Sequence, residues 1–261
     1  MDSCGQRTAS DSPTLPLKHS GELIGAERAA AAADPKHLIW VMPAEGDVDY
    51  RTCLILAGGD PALLPDRLPD DIDLVIAADS GAHLADGLEA TIDLMVGDFD
   101  SARPEVVELA RSRGAVVERH PTDKDATDLE LALEAALSRR MGRVIVVGGT
   151  SLDRIDHLLA NASVMAAPRF ADLAVEWWVA ASRVIVGRRD VTIEGAPGDP
   201  VSIIPVGGDA EVTTSGLRWP LVRERLAQGT TRGVSNEMLT GLATLTVSAG
   251  TALIVHTRGN P

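Results

Sequence analysis

Short apolar runs alternate with helix-like segments between about residues 51 and 180, and this alternation restricts the fold more than any other feature. The runs are rich in β-branched residues and most end in Gly or Asp: TCLILAGG, DLVIAADSG, IDLMVGD, AVVERHP and RVIVVGGT. Helix-like segments such as ARPEVVELARSRG and ATDLELALEAALSRRMG lie between them. Continuously apolar strands that alternate with helices are typical of a parallel sheet covered on both faces. The sequence therefore predicts an N-terminal α/β domain with a doubly wound, mostly parallel sheet at residues 51–180.

A different pattern follows residue 180, where the helix-like segments stop. The short runs SRVIVG, DVTIEG, PVSIIPV, AEVTTSG, ATLTVSAG and TALIVHT are each bounded by turn residues. Closely spaced runs of this kind are typical of a small antiparallel β-sandwich, which we predict for residues 181–261. Residues 1–50 begin with a polar stretch rich in Pro and Gly and are predicted to be a flexible extension. Within it, residues 29–33 could form a short helix and residues 37–43 a stray strand.

The composition argues against several classes of function. The chain has 261 residues, of which 45% are hydrophobic, so it can bury a sizeable core; its formal net charge is −14. Nucleic-acid binding normally needs a basic face, which this charge does not favour. Cys4 and Cys53 form neither a metal-ligand spacing nor a disulfide framework. Because no run approaches membrane-spanning length and no signal peptide is evident, we expect a soluble cytoplasmic protein that binds neither nucleic acid nor membranes.

Two aspartates close the run IDLMVGDFDS. If the strand continues through Asp98, Phe99 and Asp100, alternation puts both carboxylates on one side of it. Two like charges at such positions repel each other, and a divalent cation between them is the usual compensation. The alternative is a solvated turn in which one of the acids caps the next helix. This stretch by itself leaves both interpretations open.

Three further stretches carry polar residues after predicted strands. Asp79 ends one strand, and the small residues that follow would admit a phosphate at a helix N-terminus or would simply cap that helix. HPTDKDATDLE carries Lys124 among aspartates, before a helix that Thr127 would cap with Glu130 in a capping box. GGTSLDRIDHLLAN places Arg154, Asp156, His157 and Asn161 after the last of these strands.

Lys124 is the only lysine beyond residue 36, which favours a specific role such as contact with a polyphosphate. Since the carboxyl ends of parallel strands meet at one edge of a sheet, we expect three acidic clusters to converge there. This convergence favours a magnesium–nucleotide site, in which a metal bridges phosphate oxygens. A glycine-rich loop ending in GK[ST] is absent from the sequence, so the chain is not a P-loop enzyme.

In order and spacing, four of these stretches resemble the motifs ADGGA, GDFDS, KDxTD and GGRxDH of the thiamine pyrophosphokinase family. They are AADSGAHLADG, DLMVGDFDS, DKDATDLELAL and GGTSLDRIDHLLAN, and the C-terminal TSGLRWPL and GVSNE resemble the family's second domain. The resemblance covers about residues 51–258. It implies transfer of a pyrophosphoryl group from ATP to thiamine, which gives thiamine diphosphate and AMP. It also implies a homodimer with the active site between subunits.

The resemblance implies roles for individual residues. Catalysis and the binding of Mg²⁺ and the triphosphate would fall to four aspartates, namely Asp79, Asp98, Asp100 and Asp128, with Asp98, Asp100 and Asp128 as the metal ligands. The catalytic base would be Asp100 or Asp128. The residues that contact ATP would be Lys124, Asp125, Arg154, Asp156 and His157. Ser235 and Asn236 would line the thiamine site across the dimer, although Val234 stands where bacterial members often carry an aromatic residue.

Two alternatives come from other classes of protein. LILAGGD resembles the start of sugar-nucleotide pyrophosphorylases, and Asp98-Phe99-Asp100 imitates a metal-binding DxD motif. However, the residues after Gly59 do not continue as the GxGxR with which those nucleotidyltransferases hold phosphates. The second alternative is a non-catalytic nucleotide-binding scaffold derived from the kinase, whose first 50 residues recruit a partner. Retention of all the candidate metal acids argues against the scaffold.

Overall fold

The computed structural model describes residues 51–150 and 154–259 of the chain. The predicted extension at residues 1–50, with its possible helix and strand, lies outside the described residues. The first half of the fold contains six strands: β1 (Thr52–Leu56), β2 (Ile72–Ala78), β3 (Leu94–Gly97), β4 (Val116–Arg119), β5 (Arg143–Val147) and β6 (Ala174–Val179). They pair in parallel in the order β4-β3-β2-β1-β5-β6.

Helices cover both faces of these parallel strands. The α-helices are α1 (Pro104–Ser112), α2 (Asp128–Ser138) and α3 (Ile155–Met165). Short 3-10 helices occupy Pro61–Leu63, Asp79–Leu84, Asp86–Leu88 and Pro168–Phe170. Alternate residues of β1 enter two different cores: Ile55 packs with α2 and α3 residues, whereas Leu54 packs with residues of α1. This division confirms the doubly wound arrangement predicted from the uniformly apolar strands.

The described part of the chain after residue 180, residues 181–259, contains eight strands. In chain order they are β7 (Ser182–Gly187), β8 (Asp190–Glu194), β9 (Pro200–Pro205), β10 (Ala210–Ser215), β11 (Glu224–Leu226), β12 (Asn236–Glu237), β13 (Leu242–Ala249) and β14 (Ala252–Thr257). A four-stranded antiparallel sheet has the order β11-β10-β13-β8. It packs against β7, β9 and β14 through a third core. The predicted α/β fold followed by an antiparallel β-sandwich is therefore confirmed.

The two halves share one sheet. Beyond β6, the order continues as β7-β14-β9-β12 with antiparallel pairing, so that a single sheet has ten strands. Its centre is fixed by the fully buried carboxylate of Glu176, which accepts hydrogen bonds from Arg143 Nε at 3.0 Å and Trp178 Nε1 at 2.9 Å. Arg183 Nε lies 3.5 Å from the same carboxylate. A domain boundary near residue 180 stays a prediction, because the hydrogen-bonded sheet crosses that position.

The crevice between β1 and β5 is the topological switch point of the parallel strands. From β1 the chain adds β2, β3 and β4 on one side, whereas β5 and β6 lie on the other side. Such a switch point is where open α/β sheets usually bind ligands. The loops that leave the two strands touch each other: Gly149 N donates a hydrogen bond to Gly58 O, and Gly59 forms a bridge with Thr150. Gly58, Gly59, Gly148 and Gly149 all have positive φ. Two diglycine turns therefore cross at the carboxyl ends of β1 and β5.

Some local expectations hold and others do not. Thr127 caps α2 as predicted, since its hydroxyl accepts a hydrogen bond from Glu130 N at 3.2 Å. The Glu130 carboxylate, however, binds Arg169 rather than completing a capping box. Of the two interpretations left open for the DFD stretch, continuation of β3 through Asp100 is wrong: the strand ends at Gly97, and Phe99 has a left-handed φ of 61°. None of the helices within residues 51–150 and 154–259 is long and apolar enough to cross a membrane.

Replacing Gly148 by Ala tests the crossing of the two turns. At its φ of +83°, an added Cβ would lie 2.1 Å from Gly58 O, so the turns must separate. We expect Gly148→Ala to lower the free energy of unfolding by about 3 kcal/mol or more. The control is Gly114→Ala, which has a φ of +104° and no heavy atom within 4 Å of the new Cβ. Only backbone strain of roughly 1–2 kcal/mol applies there. Urea denaturation measures both, and equal losses would contradict the steric argument.

Candidate active site

Three aspartates converge at the carboxyl edge of the parallel strands. Asp79 follows β2, Asp98 follows β3 and Asp128 is the first residue of α2. One carboxylate oxygen from each lies within 4.8 Å of the other two. Adjacent parallel strands produce this convergence, because residues that are distant in sequence follow strand ends that are neighbours in space.

The backbone at this edge adopts conformations that bring the acids together. Asp79 has a left-handed φ of 45°, which is uncommon for a residue with a side chain. Gly97 has a φ of +145°, and a Cβ there would lie 3.1 Å from both Asp79 Cβ and Asp128 Oδ1. Gly97 therefore provides the space in which the two carboxylates approach. Strained backbone of this kind concentrates at functional sites.

Lys124 supplies positive charge to the cluster. Its ammonium nitrogen lies 3.2 Å from Asp98 Oδ2 and 3.2 Å from Asp128 Oδ1. Burial opposes the charge of Lys124, but the carboxylates of Asp128 and Asp98 outweigh it and raise the pKa of the ammonium above its usual range. The prediction of a specific ionic role for the single lysine beyond residue 36 thus has a geometric basis, which the sequence could only suggest.

The carboxylates differ in their electrostatic surroundings. Burial raises the pKa of Asp128 above its usual range, and Lys124 offsets only part of this effect. Burial also opposes ionisation of Asp98, but the amide of Asp100 and the ammonium of Lys124 hold the pKa of Asp98 below its usual range. The cluster therefore combines a carboxylate that ionises readily with one that retains its proton more strongly.

The arrangement can accommodate a divalent cation. Among the described residues, Asp79 is only 5% exposed and its Oδ1 atom is buried and accepts no hydrogen bond. The buried Oδ1 atom of Asp128 has only the ammonium of Lys124 nearby, at 3.2 Å. Buried oxygens without hydrogen bonds are costly unless something else compensates them. Carboxylate oxygens are ligands that Mg²⁺ and Ca²⁺ prefer, so the residues present fit such an ion.

Asp100 lies outside this group. It is exposed, its amide donates a hydrogen bond to Asp98 Oδ1 at 3.2 Å, and its carboxylate accepts one from Ser101 at 2.8 Å. The two acids of the DFD sequence therefore sit on a turn and not on one face of a strand. The acid that joins Asp98 and Asp128 in space is Asp79.

The other residues predicted to contact ATP are exposed. Arg154 forms a two-pronged ion pair with Asp156, with nitrogen–oxygen distances of 3.1 and 2.8 Å. This hydrogen-bonded arginine lowers the pKa of Asp156 to about 2. His157 Nε2 lies 3.9 Å from the Asp156 carboxylate, and Asp125 is exposed next to Lys124. Arg154, Asp156 and His157 thus form one exposed group at the start of α3.

Ser235 and Asn236 lie on the sandwich, and their environments differ. Ser235 is exposed with a left-handed φ of 60°, whereas Asn236 is buried. The Asn236 side chain accepts a hydrogen bond from Trp219 N at 3.1 Å and donates one to Trp219 O at 2.7 Å. Trp219 itself is 46% exposed, and Arg218 lies over its ring at 4.9 Å. Asn236 therefore holds the backbone of an exposed indole.

Sequence reasoning missed several residues that shape these surfaces. Arg119 donates a hydrogen bond to Asp98 O and lies 5.0 Å from the Phe99 ring centre, so it supports the DFD turn. Asn161, noted in the sequence without an assigned role, is buried and donates a hydrogen bond to Gly149 O at 2.9 Å. Thr150 leaves its Oγ1 buried without a partner beside the same turn. An arginine or threonine gives no motif signal, so only the structure reveals these contacts.

Comparisons with known proteins agree with this arrangement. A family model described as "Thiamin pyrophosphokinase, catalytic domain" matches residues 66–176, and one described as "Thiamin pyrophosphokinase, vitamin B1 binding domain" matches residues 190–253. Together they cover more than half of the chain. The chain belongs to the thiamine pyrophosphokinase family.

Relatives of the thiamine pyrophosphokinase family match across most of the described residues. The thiamine pyrophosphokinase of Bacillus subtilis (strain 168) is 26% identical over 220 residues, which are 79% of this chain and 98% of that protein. Thiamine pyrophosphokinase 1 of Oryza sativa subsp. japonica is 28% identical over 189 residues, covering 68% of this chain and 66% of the rice protein. The crystal structure of thiamin pyrophosphokinase from Geobacillus thermodenitrificans superposes with a TM-score of 0.67, at 26% identity, over 80% of this chain and 98% of that one.

Replacing Lys124 tests how the acidic cluster is balanced. We expect Lys124→Gln to lower the free energy of unfolding in EDTA by about 1–2 kcal/mol, because three crowded carboxylates then lack their neighbouring cation. The matched control is Arg111→Gln, which removes an exposed ion pair with Glu108. That pair should contribute less than about 0.5 kcal/mol. Urea denaturation at neutral pH gives both free energies of unfolding. If Lys124→Gln destabilises the protein no more than Arg111→Gln does, Lys124 does not compensate the repulsion among the carboxylates.

Proposed function

We propose that this chain transfers the pyrophosphoryl group of ATP to thiamine, with AMP and thiamine diphosphate as products. The observation that carries the proposal is the Asp79–Asp98–Asp128 group with Lys124, which lies within the part of the chain that matches the catalytic domain of the family. The match to the vitamin B1 binding domain supports thiamine as the acceptor.

The transfer follows from the groups at this edge. The hydroxyl oxygen of thiamine attacks the β-phosphorus, the bond from that phosphorus to the oxygen bridging the α-phosphate breaks, and AMP leaves. Negative charge on the triphosphate must be neutralised and the two substrates must be held in line. Lys124 provides a cation at the site, while Arg154 is a further candidate for phosphate contact once it exchanges its partner Asp156.

Mg²⁺ is proposed as the cofactor, held by Asp79, Asp98 and Asp128. Bound there, it would supply charge neutralisation and orientation of the phosphate oxygens. The buried Asp79 oxygen without a hydrogen bond, and its approach to the carboxylates of Asp98 and Asp128, support this set of ligands over one that includes Asp100. Asp100 lies next to the site, because its amide donates a hydrogen bond to Asp98 Oδ1.

The proton of the attacking hydroxyl passes to a carboxylate at this edge. The two candidates are Asp128, which belongs to the proposed metal ligands, and Asp100, which lies outside them. Asp100 is exposed, and its carboxylate accepts a hydrogen bond from Ser101.

The thiamine site is proposed to form between two copies of the chain. Ser235 and Asn236 lie within residues 190–253, which match the vitamin B1 binding domain of the family. Trp219 offers an exposed indole where Val234 lacks an aromatic ring. Thiamine is a two-ring cation, and such a cation binds favourably over an indole.

The compartment and the remaining partners are also proposals. A cytoplasmic homodimer without nucleic-acid partners agrees with a net charge of −14. The alternative of a sugar-nucleotide nucleotidyltransferase is not favoured, because Asp60 caps the 3-10 helix Pro61–Leu63 instead of continuing a phosphate loop. A non-catalytic scaffold is not favoured either, since the acidic cluster and Lys124 are complete.

Incubation with ATP, Mg²⁺ and thiamine tests the function directly. AMP should appear in step with thiamine diphosphate, and Asp98→Asn should lower the rate by at least about 100-fold. Asp86→Asn, an exposed acid outside the cluster, is the control and should retain the wild-type rate. Release of pyrophosphate would instead indicate nucleotidyl transfer. Nucleotide binding without turnover would favour the scaffold, and AMP formed only with another acceptor would change the substrate.

Metal titration separates the two possible ligand sets. We expect Asp79→Asn and Asp128→Asn each to weaken Mn²⁺ binding at least about ten-fold, whereas Asp100→Asn changes it less than about three-fold. Electron paramagnetic resonance of free Mn²⁺ gives the affinities without any need for turnover. A larger effect at Asp100 than at Asp79 would restore the set Asp98, Asp100 and Asp128 that the sequence suggested.

Trp219→Ala tests the proposed thiamine surface. Loss of the indole should raise KM for thiamine by about ten-fold and leave KM for ATP unchanged. Trp219→Phe should recover part of the affinity, because a smaller ring remains. Val222→Ala is the matched control, since Val222 is a 78% exposed apolar residue of the same segment. Equal effects on both Michaelis constants would point to a structural role for Trp219.

A further inference from the structure

A cavity of about 500 Å³ lies on one face of the ten-stranded sheet, away from the acidic cluster. Its floor is a row of cross-strand neighbours: Trp178 on β6 pairs with Arg183 on β7, which pairs with His256 on β14. Trp178 belongs to the core beneath α1, whereas Ile185 and Ile254 of the same strands belong to the core of the sandwich. The cavity therefore opens where the two cores meet, a common location for ligand sites.

Backbone hydrogen bonds fix the walls of this cavity. Ala180 N in the turn between β6 and β7 donates to Leu63 O at 2.8 Å, which ties that turn to the segment at residues 61–67. On the other side, Arg258 N donates to Ala181 O at 3.0 Å and Gly259 N donates to Asp199 Oδ1 at 2.8 Å. Two consecutive amides thus hold the backbone that carries the Arg258 side chain.

Arg183 brings excess positive charge to the floor. Its guanidinium stacks over the Trp178 ring at 4.4 Å and its side chain is 16% exposed. Its nearest carboxylate, Glu176, lies 3.5 Å away and already accepts hydrogen bonds from Arg143 and Trp178. Burial lowers the pKa of Arg183; the carboxylates of Glu176 and Glu194 oppose this effect, whereas repulsion from Arg258 and Arg143 adds to it. An anion placed beside Arg183 and Arg258 would relieve that repulsion.

Arg258 is the second cationic group. It is exposed, and within the described residues its side chain forms neither an ion pair nor a hydrogen bond. Arg67 also lines the cavity but is paired with Asp70 at 2.8 Å. Glu194 and Asp66 are exposed carboxylates on the lining that oppose an anion. Removing the charge of Glu194 should therefore change the affinity for an anion in the opposite direction to removing the charge of Arg258.

The buried pair His256–Asp199 contributes no positive charge to the cavity. Burial lowers the pKa of His256 below its usual range even though Asp199 Oδ2 lies 2.9 Å from its Nε2. The Asp199 carboxylate is satisfied by the amides of Ala196 and Gly259 together with His256. This pair shapes the floor and anchors the strand end next to Arg258.

We propose that this cavity is a second ligand site, in which Arg183 and Arg258 bind the phosphate group of a small phosphorylated molecule. Guanidinium groups match phosphate oxygens in geometry and keep their charge. The chain as a whole carries a large negative charge. Arg258 adds to the cavity a cation with no carboxylate partner among the described residues, so an anion would gain most from contact with Arg258 and Arg183. The site is additional to the proposed reaction, whose phosphates are proposed to lie at the acidic cluster with Lys124 and Arg154.

Calorimetric titration of the full chain with inorganic phosphate in EDTA tests the proposal. Omission of divalent cations suppresses anion binding at the acidic cluster. We expect Arg258→Gln to weaken phosphate binding about ten-fold and Glu194→Gln to strengthen it. Arg225→Gln, which removes an exposed arginine paired with Asp209 on the second sheet, is the matched control and should leave the affinity unchanged. Because Arg258 is exposed, its replacement leaves the buried network around Glu176 intact.

Three outcomes would overturn the proposal: no phosphate binding by the wild-type chain, equal affinity in Arg258→Gln and wild type, or loss of binding in Lys124→Gln. The last would assign the anion to the acidic cluster. Competition in the Lys124→Gln background identifies the source of the phosphate group. Displacement by AMP or thiamine diphosphate would identify a phosphorylated product as the ligand, and failure of both to displace phosphate would exclude these two products.

Discussion

Hydrogen bonding on both edges of β6 is the constraint on which the rest of this structure depends. β6 pairs in parallel with β5 and antiparallel with β7, so that the α/β half and the sandwich are built on one sheet. The pairing is reinforced at Glu176, a buried carboxylate compensated by Arg143 and Trp178. An isolated carboxylate in such a place would be strongly destabilising, whereas a paired and hydrogen-bonded one fixes the strands that carry its partners. The continuous sheet in turn places the acidic cluster at its carboxyl edge and the arginine-lined cavity on one face.

The acidic cluster is held together against its own repulsion. Three carboxylates approach within 4.8 Å, and Lys124 is the cation that touches two of them. Asp79 and the neighbouring Phe99 accept left-handed backbone conformations to reach these positions. Strain and like-charge contacts reduce stability, and their concentration at one edge agrees with a site that binds a cation and phosphates.

The sandwich surface shows how a motif residue can act through a neighbour. Asn236 uses its amide to hold the backbone of Trp219, so that the residue available to a ligand is the indole and not the asparagine. The absence of an aromatic residue at Val234 therefore does not leave this surface without a ring. A sequence motif records that Asn236 matters, but it does not record whether the contact is with substrate or with the protein.

The sequence by itself determined the succession of elements, because apolar β-branched runs, the Thr127 cap and turn residues are local signals. It also determined that acids would follow successive strands. Tertiary structure alone decided which acids meet: Asp79 joins Asp98 and Asp128 because β2, β3 and the start of α2 are neighbours, while Asp100 is turned away by the left-handed Phe99. The same holds for the joining of two halves into one sheet and for the placement of Arg183 and Arg258 around one cavity. These depend on contacts between residues far apart in the chain, for which local patterns carry no information.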